Sequence, residues 1–174
     1  LNIGVTVTFT CRVEHCMIIL ILLFVMNKNF TNYRYARKTT YRCMDRQNVL
    51  FYFTDQQRWD TCGCYGQKLP VSPRLDAFAS DGVLFEQAIT CQPVCGPARA
   101  VLQTGRWPAQ IGCHVNGREL PQDIPTLAKA FRIAGYVTGY CGKWHLASTD
   151  GVADFQRMPV PPERRGGFSD FWIA

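Results

Sequence analysis

Short apolar runs that alternate with helix-like segments are the feature that most constrains the fold. NVLFYFT (48–54), VLFEQAIT (83–90) and YVTGYC (136–141) are apolar or aromatic runs of strand length. Such runs are typical of strands that are buried on both faces of a sheet. One helix-like segment separates the first two runs, and two more lie before the third. This alternation predicts an α/β domain with a mostly parallel sheet sandwiched by helices.

The helix-like segments carry start and stop signals. In the first of them, Ser72 is a predicted N-cap, Pro73 is at the first helical position and a glycine follows the end. ARAVLQTG (98–105) predicts a short helix that ends at its glycine. IPTLAKAFRIAGY (124–136) predicts a helix that begins at its proline and ends at its glycine. From residue 148 onward, proline, glycine and charge predict a loop.

Polar side chains follow the predicted strands. Asp55 comes directly after the first strand, and Lys143 and His145 come soon after the last one. Cys95 lies in a predicted strand-to-helix turn. In open α/β sheets, ligands bind at the carboxyl ends of the strands. We therefore expect these groups to converge on one edge of the sheet.

Residues 1–43 differ in charge from the rest of the chain. They hold six basic side chains against one acidic side chain, so nearly all of the net charge of +6 lies there. A basic leader on a near-neutral body is not the clustered footprint of a nucleic-acid-binding protein. We expect residues 1–43 to be a disordered extension or mispredicted coding sequence, and residues 44–174 to form the working domain.

The apolar run CMIILILLFVM (16–26) is shorter than the roughly 20 residues that span a bilayer. Only Arg12 precedes it among basic residues, and no small-residue cleavage site follows it. A membrane partner is therefore not expected. Export or membrane association through this run is the alternative.

The nine cysteines bear on the compartment. Their number is odd and no C-x-x-C pair is repeated, so neither a structural zinc site nor a secreted disulfide scaffold is favoured. Cys62 and Cys64 are too close in sequence for an easy disulfide. A reducing cytoplasm fits this pattern best.

Cys95 stands two residues before a proline and four before an arginine. Cysteine phosphatases need a longer loop between the two residues, and the spacing from Cys91 is one residue too long for a dithiol redox pair. A cysteine protease would need a partner such as His114, which no pattern fixes in place. A buried structural cysteine at a tight turn is the remaining alternative.

Three separated segments together resemble the type I sulfatases of the alkaline-phosphatase-like superfamily. CGPAR (95–99) matches the C-x-P-x-R signature of that family. NVLFYFTDQQRWDTCGCYG (48–66) resembles its opening strand and metal loop, and AGYVTGYCGKWHL (134–146) resembles its lysine–histidine loop. One such motif is a modest signal, but three in the family's order make chance a poor explanation. The resemblance implies the N-terminal part of that α/β fold.

In this family, a separate maturation enzyme converts the signature cysteine to formylglycine, and the resemblance implies this for Cys95. The hydrated aldehyde has two hydroxyls on one carbon. One attacks sulfur, and the other then loses its proton and expels sulfate as the aldehyde re-forms. A serine would be left as a stable sulfate ester, so the reaction needs a nucleophile that can release its product.

The resemblance also implies a divalent cation, Ca²⁺ or Mg²⁺, bound by Asp55 and by the product of Cys95. Hard cations prefer oxygen ligands. Many relatives have a second aspartate where Gln56 stands here, and its amide oxygen is a possible ligand. A turn carboxylate is the alternative for Asp55. Further ligands would come from segments beyond residue 174.

The remaining site residues are assigned in the same way. Arg99 lies one helical turn from Cys95 and would contact the formylglycine and the sulfate. Lys143 and His145 flank Trp144 and would face one side if extended. Lys143 would bind the sulfate or the leaving oxygen, and His145 would steer charge or donate a proton there. The alternative for Arg99 is a surface arginine, and the alternative for Lys143 and His145 is an ordinary pair of loop residues.

Asn116, in HVNG, resembles an active-site asparagine of some relatives, and a turn-forming Asn-Gly is the competing explanation. Trp59, Trp107 and Trp172 are expected to pack in the interior rather than to recognise a ligand.

The expected function is sulfuric ester hydrolysis, on a small-molecule or carbohydrate sulfate ester, by a protein of which residues 1–174 are an inactive N-terminal fragment. Hydrolysis of phosphonate monoesters or phosphodiesters is one alternative. A non-catalytic binding fragment is another. Which sulfate ester is used lies beyond the sequence, because leaving-group pockets are built on loops and on later parts of such folds.

Overall fold

The computed structural model describes residues 48–147 and 158–174, and the backbone of two strands nearer the N-terminus. The strands are β1 (Val5–Cys11), β2 (Ile21–Met26), β3 (Asn48–Tyr52), β4 (Val83–Ala88), β5 (Gly139–Cys141) and β6 (Phe171–Ile173). The helices are α1 (Pro73–Asp81), α2 (Cys95–Thr104) and α3 (Leu127–Ile133). Short 3₁₀ turns lie at Trp59–Thr61, Gly63–Tyr65, Pro108–Ile111 and Pro162–Arg164. The predicted domain start at residue 44 and residues 148–157 of the predicted loop lie outside the described residues.

The chain forms two compact units, Leu1–Ile89 and Thr90–Ala174. The first contains a sheet of order β3-β2-β1-β4. Strands β1 and β4 are parallel, and β2 is antiparallel to both of its neighbours. Both β1 and β2 lie within residues 1–43, and the separation of that segment as an extension stays a prediction. Within the described residues, no helix is long and apolar enough to cross a membrane.

Helix α1 confirms its start and stop signals, with Ser72 as the N-cap residue, Pro73 at the first position and Gly82 as the C-cap. The Ser72 hydroxyl, however, does not cap the helix. It accepts from the Gly63 N–H at 2.8 Å and donates to the Asp76 carboxylate at 3.0 Å. The same carboxylate accepts from the Cys64 N–H at 2.7 Å, so α1 holds the loop that follows β3.

Helices α2 and α3 begin at other residues than predicted. Helix α2 starts at Cys95, three residues early, and Gly105 ends it in the left-handed conformation. Helix α3 starts at Leu127, and the proline-start prediction is wrong there. Thr126 is the N-cap, and its hydroxyl accepts from the Lys129 N–H at 3.2 Å, so Pro125 precedes the cap.

The second unit contains a parallel pair, β5 and β6. The loop predicted from residue 148 onward is wrong at β6, because a strand of three residues is too short to show a period of two. The Asp170 carboxylate joins the strand starts by accepting from the Thr138 N–H at 2.9 Å and from its hydroxyl at 3.2 Å. The bond from the Thr138 N–H is the main reason that the Asp170 pKa is lowered.

An aromatic cluster fills the core of the second unit. Tyr140 and Trp172 face each other across the strand pair, with ring centroids 5.1 Å apart. Trp144 meets Tyr140 edge-on at 5.0 Å, and Phe168 lies 5.2 Å from Tyr140. The expectation that Trp172 packs in the interior is therefore confirmed. The same expectation is wrong for Trp107, which is 62% exposed.

Trp144 anchors this cluster and provides a stability prediction. It is 3% exposed, and its indole N–H donates to the Arg164 carbonyl at 3.0 Å. We expect Trp144→Ala to lower the free energy of unfolding by about 3–5 kcal/mol, the usual cost of truncating a buried aromatic side chain. Urea titration followed by circular dichroism measures the change.

The matched control is Trp107→Ala, because Trp107 is exposed. Its effect should stay within about 0.5 kcal/mol, as for most surface substitutions. Equal losses in the two variants would contradict this assignment of the core.

Candidate functional site

Cys95 is the first residue of α2 and is half-buried. Val94 is the N-cap, with extended backbone, and its carbonyl accepts from the Ala98 N–H at 2.9 Å. The first helical turn thus runs through the cysteine, the glycine and the proline of CGPAR. Since Pro97 fixes φ near its helical value, it favours a helix that begins at this place.

Asn116 is bonded to this first turn. Its side-chain oxygen accepts from the Gly96 N–H at 2.9 Å. A Cβ built on Gly96 would lie 3.0 Å from that oxygen, so glycine is what allows the close approach. Asn116 also lies in a turn, and Gly117 after it has a positive φ of 84°, so the turn-forming Asn-Gly interpretation holds beside this contact.

The same contact limits anion binding by the helix N-terminus. Free N–H groups in the first turn are what make a helix start attractive to anions. In α2, the Gly96 N–H is bonded to Asn116, and Pro97 has no N–H. If an anion binds at this helix start, its hydrogen bonds therefore have to come mainly from side chains.

Arg99 lies on the same helix and is buried, with 5% of its surface exposed. Its Nη1 donates to the Lys143 carbonyl at 2.5 Å and to the Tyr140 hydroxyl at 3.4 Å. The Tyr140 hydroxyl donates to the same carbonyl at 2.6 Å. A surface arginine, the alternative for Arg99, is thereby excluded.

Lys143 and His145 lie in an irregular segment after β5. Gly142 and His145 have positive φ values of 107° and 61°. The condition under which Lys143 and His145 would face one side, an extended backbone, is not met at His145, because a left-handed residue breaks the alternation of sides. The His145 carbonyl lies 3.8 Å from a Cβ built on Gly96, which places the segment beside the first turn of α2. Non-glycine residues with positive φ are uncommon in proteins as a whole. Those that do occur are concentrated at functional sites.

The second unit thus brings together the predicted residues Cys95, Arg99, Asn116, Lys143 and His145. The elements that position them are the first turn of α2 and the segment after β5. Sequence reasoning missed Tyr140, which contacts two parts of this set. An available signal was its place in YVTGYC, where a phenol in a buried strand needs a hydrogen-bond partner.

Asp55 and Gln56 belong to the first unit. Asp55 is exposed and lies three residues beyond the end of β3, and Gln56 has a positive φ of 60°. Gln57, the next residue, links two parts of this loop, because its side-chain amide donates to the Cys62 sulfur at 3.2 Å. Carboxylate and amide oxygens fit a hard cation in kind. Within the described ranges, however, no cluster of three acidic, cysteine or histidine side chains surrounds a common point.

Three of the other described cysteines have a raised pKa. Burial raises the pKa of Cys62 and Cys113, and it is also the main reason that the pKa of Cys64 is about 11. These thiols stay protonated at neutral pH, and only a thiolate is strongly nucleophilic. All six cysteines in the described part of the chain are free thiols, as expected for the pair Cys62 and Cys64.

Comparison with known proteins gives a consistent family. The family model described as Sulfatase matches residues 47–173. An uncharacterized sulfatase, YidJ, of Escherichia coli K12 is 41% identical over 130 residues, which cover 75% of this chain and 25% of that protein. An ulvan-active sulfatase of Formosa agariphila is 40% identical over 129 residues, or 74% of this chain and 24% of that protein.

A mammalian relative has a similar extent. The steryl-sulfatase of Mus musculus is 35% identical over 136 residues, which cover 71% of this chain and 21% of that protein. The chain therefore spans about a quarter of the length of these curated relatives. No solved structure matches the chain significantly.

The contact between Asn116 and Gly96 provides a second stability prediction. Asn116→Ala leaves the Gly96 N–H without its acceptor and should lower the free energy of unfolding by about 1 kcal/mol. Asn116→Asp is the matched control, because it keeps an acceptor oxygen and adds a negative charge that a helix N-terminus favours. Chemical denaturation of both variants at pH 7 measures the two changes. A loss in the Asp variant as large as that in the Ala variant would contradict the capping role.

Proposed function

The chain belongs to the sulfatase family, and we propose that the protein it comes from hydrolyses sulfuric esters with a nucleophile derived from Cys95. The observation that carries the proposal is the joining of two motifs. Arg99 of CGPAR is buried and donates to the backbone carbonyl of Lys143 in GKWHL. Each motif alone has an ordinary structural explanation, and their contact supports the proposal that the two motifs belong to one site.

Cys95 is the residue that we propose to be modified. When formylglycine is present at this position, its hydrated aldehyde supplies an attacking hydroxyl and a second hydroxyl that allows sulfate to be released. The half-buried place of Cys95 at the start of α2 suits both access by a maturation enzyme and attack on an ester. The maturation enzyme is thus a proposed partner.

Arg99 would hold the negative charge that develops on the sulfate oxygens. A buried guanidinium acts in a region of low dielectric, where its interaction with an anion is stronger than in water. One helical turn separates Arg99 from Cys95, so both side chains lie on the same part of the α2 surface. The Lys143 carbonyl fixes one edge of the guanidinium.

Lys143, His145 and Asn116 would complete the substrate side. Lys143 is exposed and carries a charge that can bind sulfate or the leaving oxygen. His145 would donate a proton to the leaving oxygen, since an imidazole is the usual acid at such a position. Asn116 would hold the first turn of α2 through Gly96 and contact the substrate with the rest of its amide.

Asp55 and Gln56 would bind the divalent cation, Ca²⁺ or Mg²⁺, that sulfatases generally use. Their oxygens suit either ion, but such ions take at least six ligands. These two side chains would leave the remaining ligands to other parts of the protein. In the reaction, such an ion would neutralise sulfate oxygens.

The proposed substrates are small-molecule or carbohydrate sulfate esters. One relative is named for a small-molecule substrate, steryl-sulfatase, and another for a carbohydrate substrate, N-acetylglucosamine-6-O-sulfatase. The proposed compartment is the cytoplasm, which suits the free thiols of the described residues. Phosphonate or phosphodiester hydrolysis is not favoured, because the relatives named here are sulfatases. That residues 1–174 alone are inactive stays a prediction.

Turnover by a matched pair of variants tests the proposal. In the protein expressed from its complete gene, Cys95→Ala should reduce hydrolysis of an aryl sulfate by at least about 10³-fold, because it removes the covalent nucleophile. Cys91→Ala, four residues earlier, should leave turnover within about twofold of wild type, since it has no role in the reaction. Initial rates with 4-nitrophenyl sulfate measure both.

Turnover of a phenyl phosphonate ester, measured in parallel, distinguishes sulfuric ester hydrolysis from the alternative, phosphonate hydrolysis. Faster turnover of the phosphonate than of the sulfate would contradict sulfuric ester hydrolysis as the main activity. Unchanged turnover in Cys95→Ala would contradict the role of the cysteine.

A further inference from the structure

We propose that Tyr140 is a positioning residue, which sets the place of the Arg99 guanidinium through its hydroxyl group. The consequence for turnover rests on the proposed function, whereas the positioning itself does not. Neither the motifs nor the comparisons assign a role to this tyrosine.

The hydrogen bonds around Tyr140 form a closed triangle. Its hydroxyl donates to the Lys143 carbonyl at 2.6 Å and accepts from Arg99 Nη1 at 3.4 Å. Arg99 Nη1 also donates to that carbonyl at 2.5 Å. The carbonyl oxygen has two lone pairs, so it can accept from both donors at once. Removal of the hydroxyl breaks two sides of the triangle and leaves only the bond from Arg99 to Lys143.

The aromatic cluster fixes where this hydroxyl lies. Tyr140 is 8% exposed and lies on β5, which is paired with β6. Its ring is stacked on Trp172, meets Trp144 edge-on and is tilted against Phe168. A ring held on three sides in a strand has little rotational freedom. The position of its oxygen is therefore determined by the core of the unit rather than by the site.

The protonation state of the Tyr140 phenol is compatible with this role. Burial raises the pKa of its phenol, and the nearby Arg99 charge opposes that rise only in part. The phenol therefore keeps its proton at neutral pH and can donate it to the Lys143 carbonyl. A neutral hydroxyl is also compatible with an Arg99 that remains available to an anion, because it does not neutralise the guanidinium as a carboxylate would.

The test compares Tyr140→Phe with Tyr136→Phe in the protein expressed from its complete gene. The first variant removes the hydroxyl and keeps the ring in the cluster. Tyr136 is a half-buried tyrosine in the same motif, and its ring meets Phe131 edge-on at 5.1 Å. With 4-nitrophenyl sulfate, we expect kcat to fall about tenfold in Tyr140→Phe, with KM within about twofold. Tyr136→Phe should match wild type.

Rates are counted per molecule that carries the modified residue 95, as determined by mass spectrometry, so incomplete maturation cannot imitate the effect. A merely structural role would lower the melting temperature and leave kcat per modified molecule unchanged, and that result overturns the proposal. Crystal structures of wild type and Tyr140→Phe provide a readout that does not depend on activity. They should show that the Arg99 guanidinium has moved relative to the Lys143 carbonyl.

Failure of the proposed function and failure of the positioning role of Tyr140 give different results. If wild type hydrolyses no sulfate ester, the proposed function is wrong, and the crystal structures alone decide the role of Tyr140. An Arg99 guanidinium in the same place in both structures then overturns the positioning role.

Discussion

The hydrogen bond from the buried Arg99 to the Lys143 carbonyl is the contact on which the rest of the second unit depends. The two residues are 44 apart in sequence, and the bond is 2.5 Å long. A guanidinium with 5% exposure has lost most of its water, so protein acceptors must replace those hydrogen bonds. The carbonyl is available because Gly142 and His145 turn the backbone through left-handed conformations on either side of it. The buried Arg99 and the irregular segment after β5 are thus joined by this hydrogen bond.

Other contacts hold the same segment in place. The Leu120 N–H donates to the Leu146 carbonyl at 2.8 Å, and Trp144 is bonded to the Arg164 carbonyl. Asn116 holds the first turn of α2 through Gly96. Together these contacts fix the backbone at both motifs, so the side chains of the site depend on a packed core and not on loop flexibility.

Much of this arrangement could be predicted from the sequence, and the exceptions have physical reasons. The bounds of α1 and the end of α2 followed from Pro73, Gly82 and Gly105, because proline and glycine act on the local backbone. Strand β6 and the contact between Tyr140 and Arg99 could not be predicted in this way, since both depend on residues that are distant in sequence. The left-handed His145 was missed because nothing in the residue type demands a positive φ.

The predicted metal ligands Asp55 and Gln56 differ from the candidate residues of the second unit in how much the sequence could predict. Asp55 and Gln56 follow β3 in the other unit, and the backbone turn at Gln56 is local. The oxygen chemistry of these two residues was readable from the sequence. A complete ligand set is a property of tertiary structure, and the described residues contain no such cluster. The chain corresponds to about a quarter of its relatives' length, which is consistent with ligands supplied by other parts of the protein.

The mass of the tryptic peptide 75–99 tests the central claim most directly. This peptide contains both Cys91 and Cys95 and ends at Arg99. After alkylation of protein purified from its own host, fragment ions should show an alkylated Cys91 and, at position 95, a residue that is not alkylated. That residue should be about 18 Da lighter than a free cysteine, since the thiol carbon has become an aldehyde. Alkylation of both cysteines in all of the peptide would contradict the account.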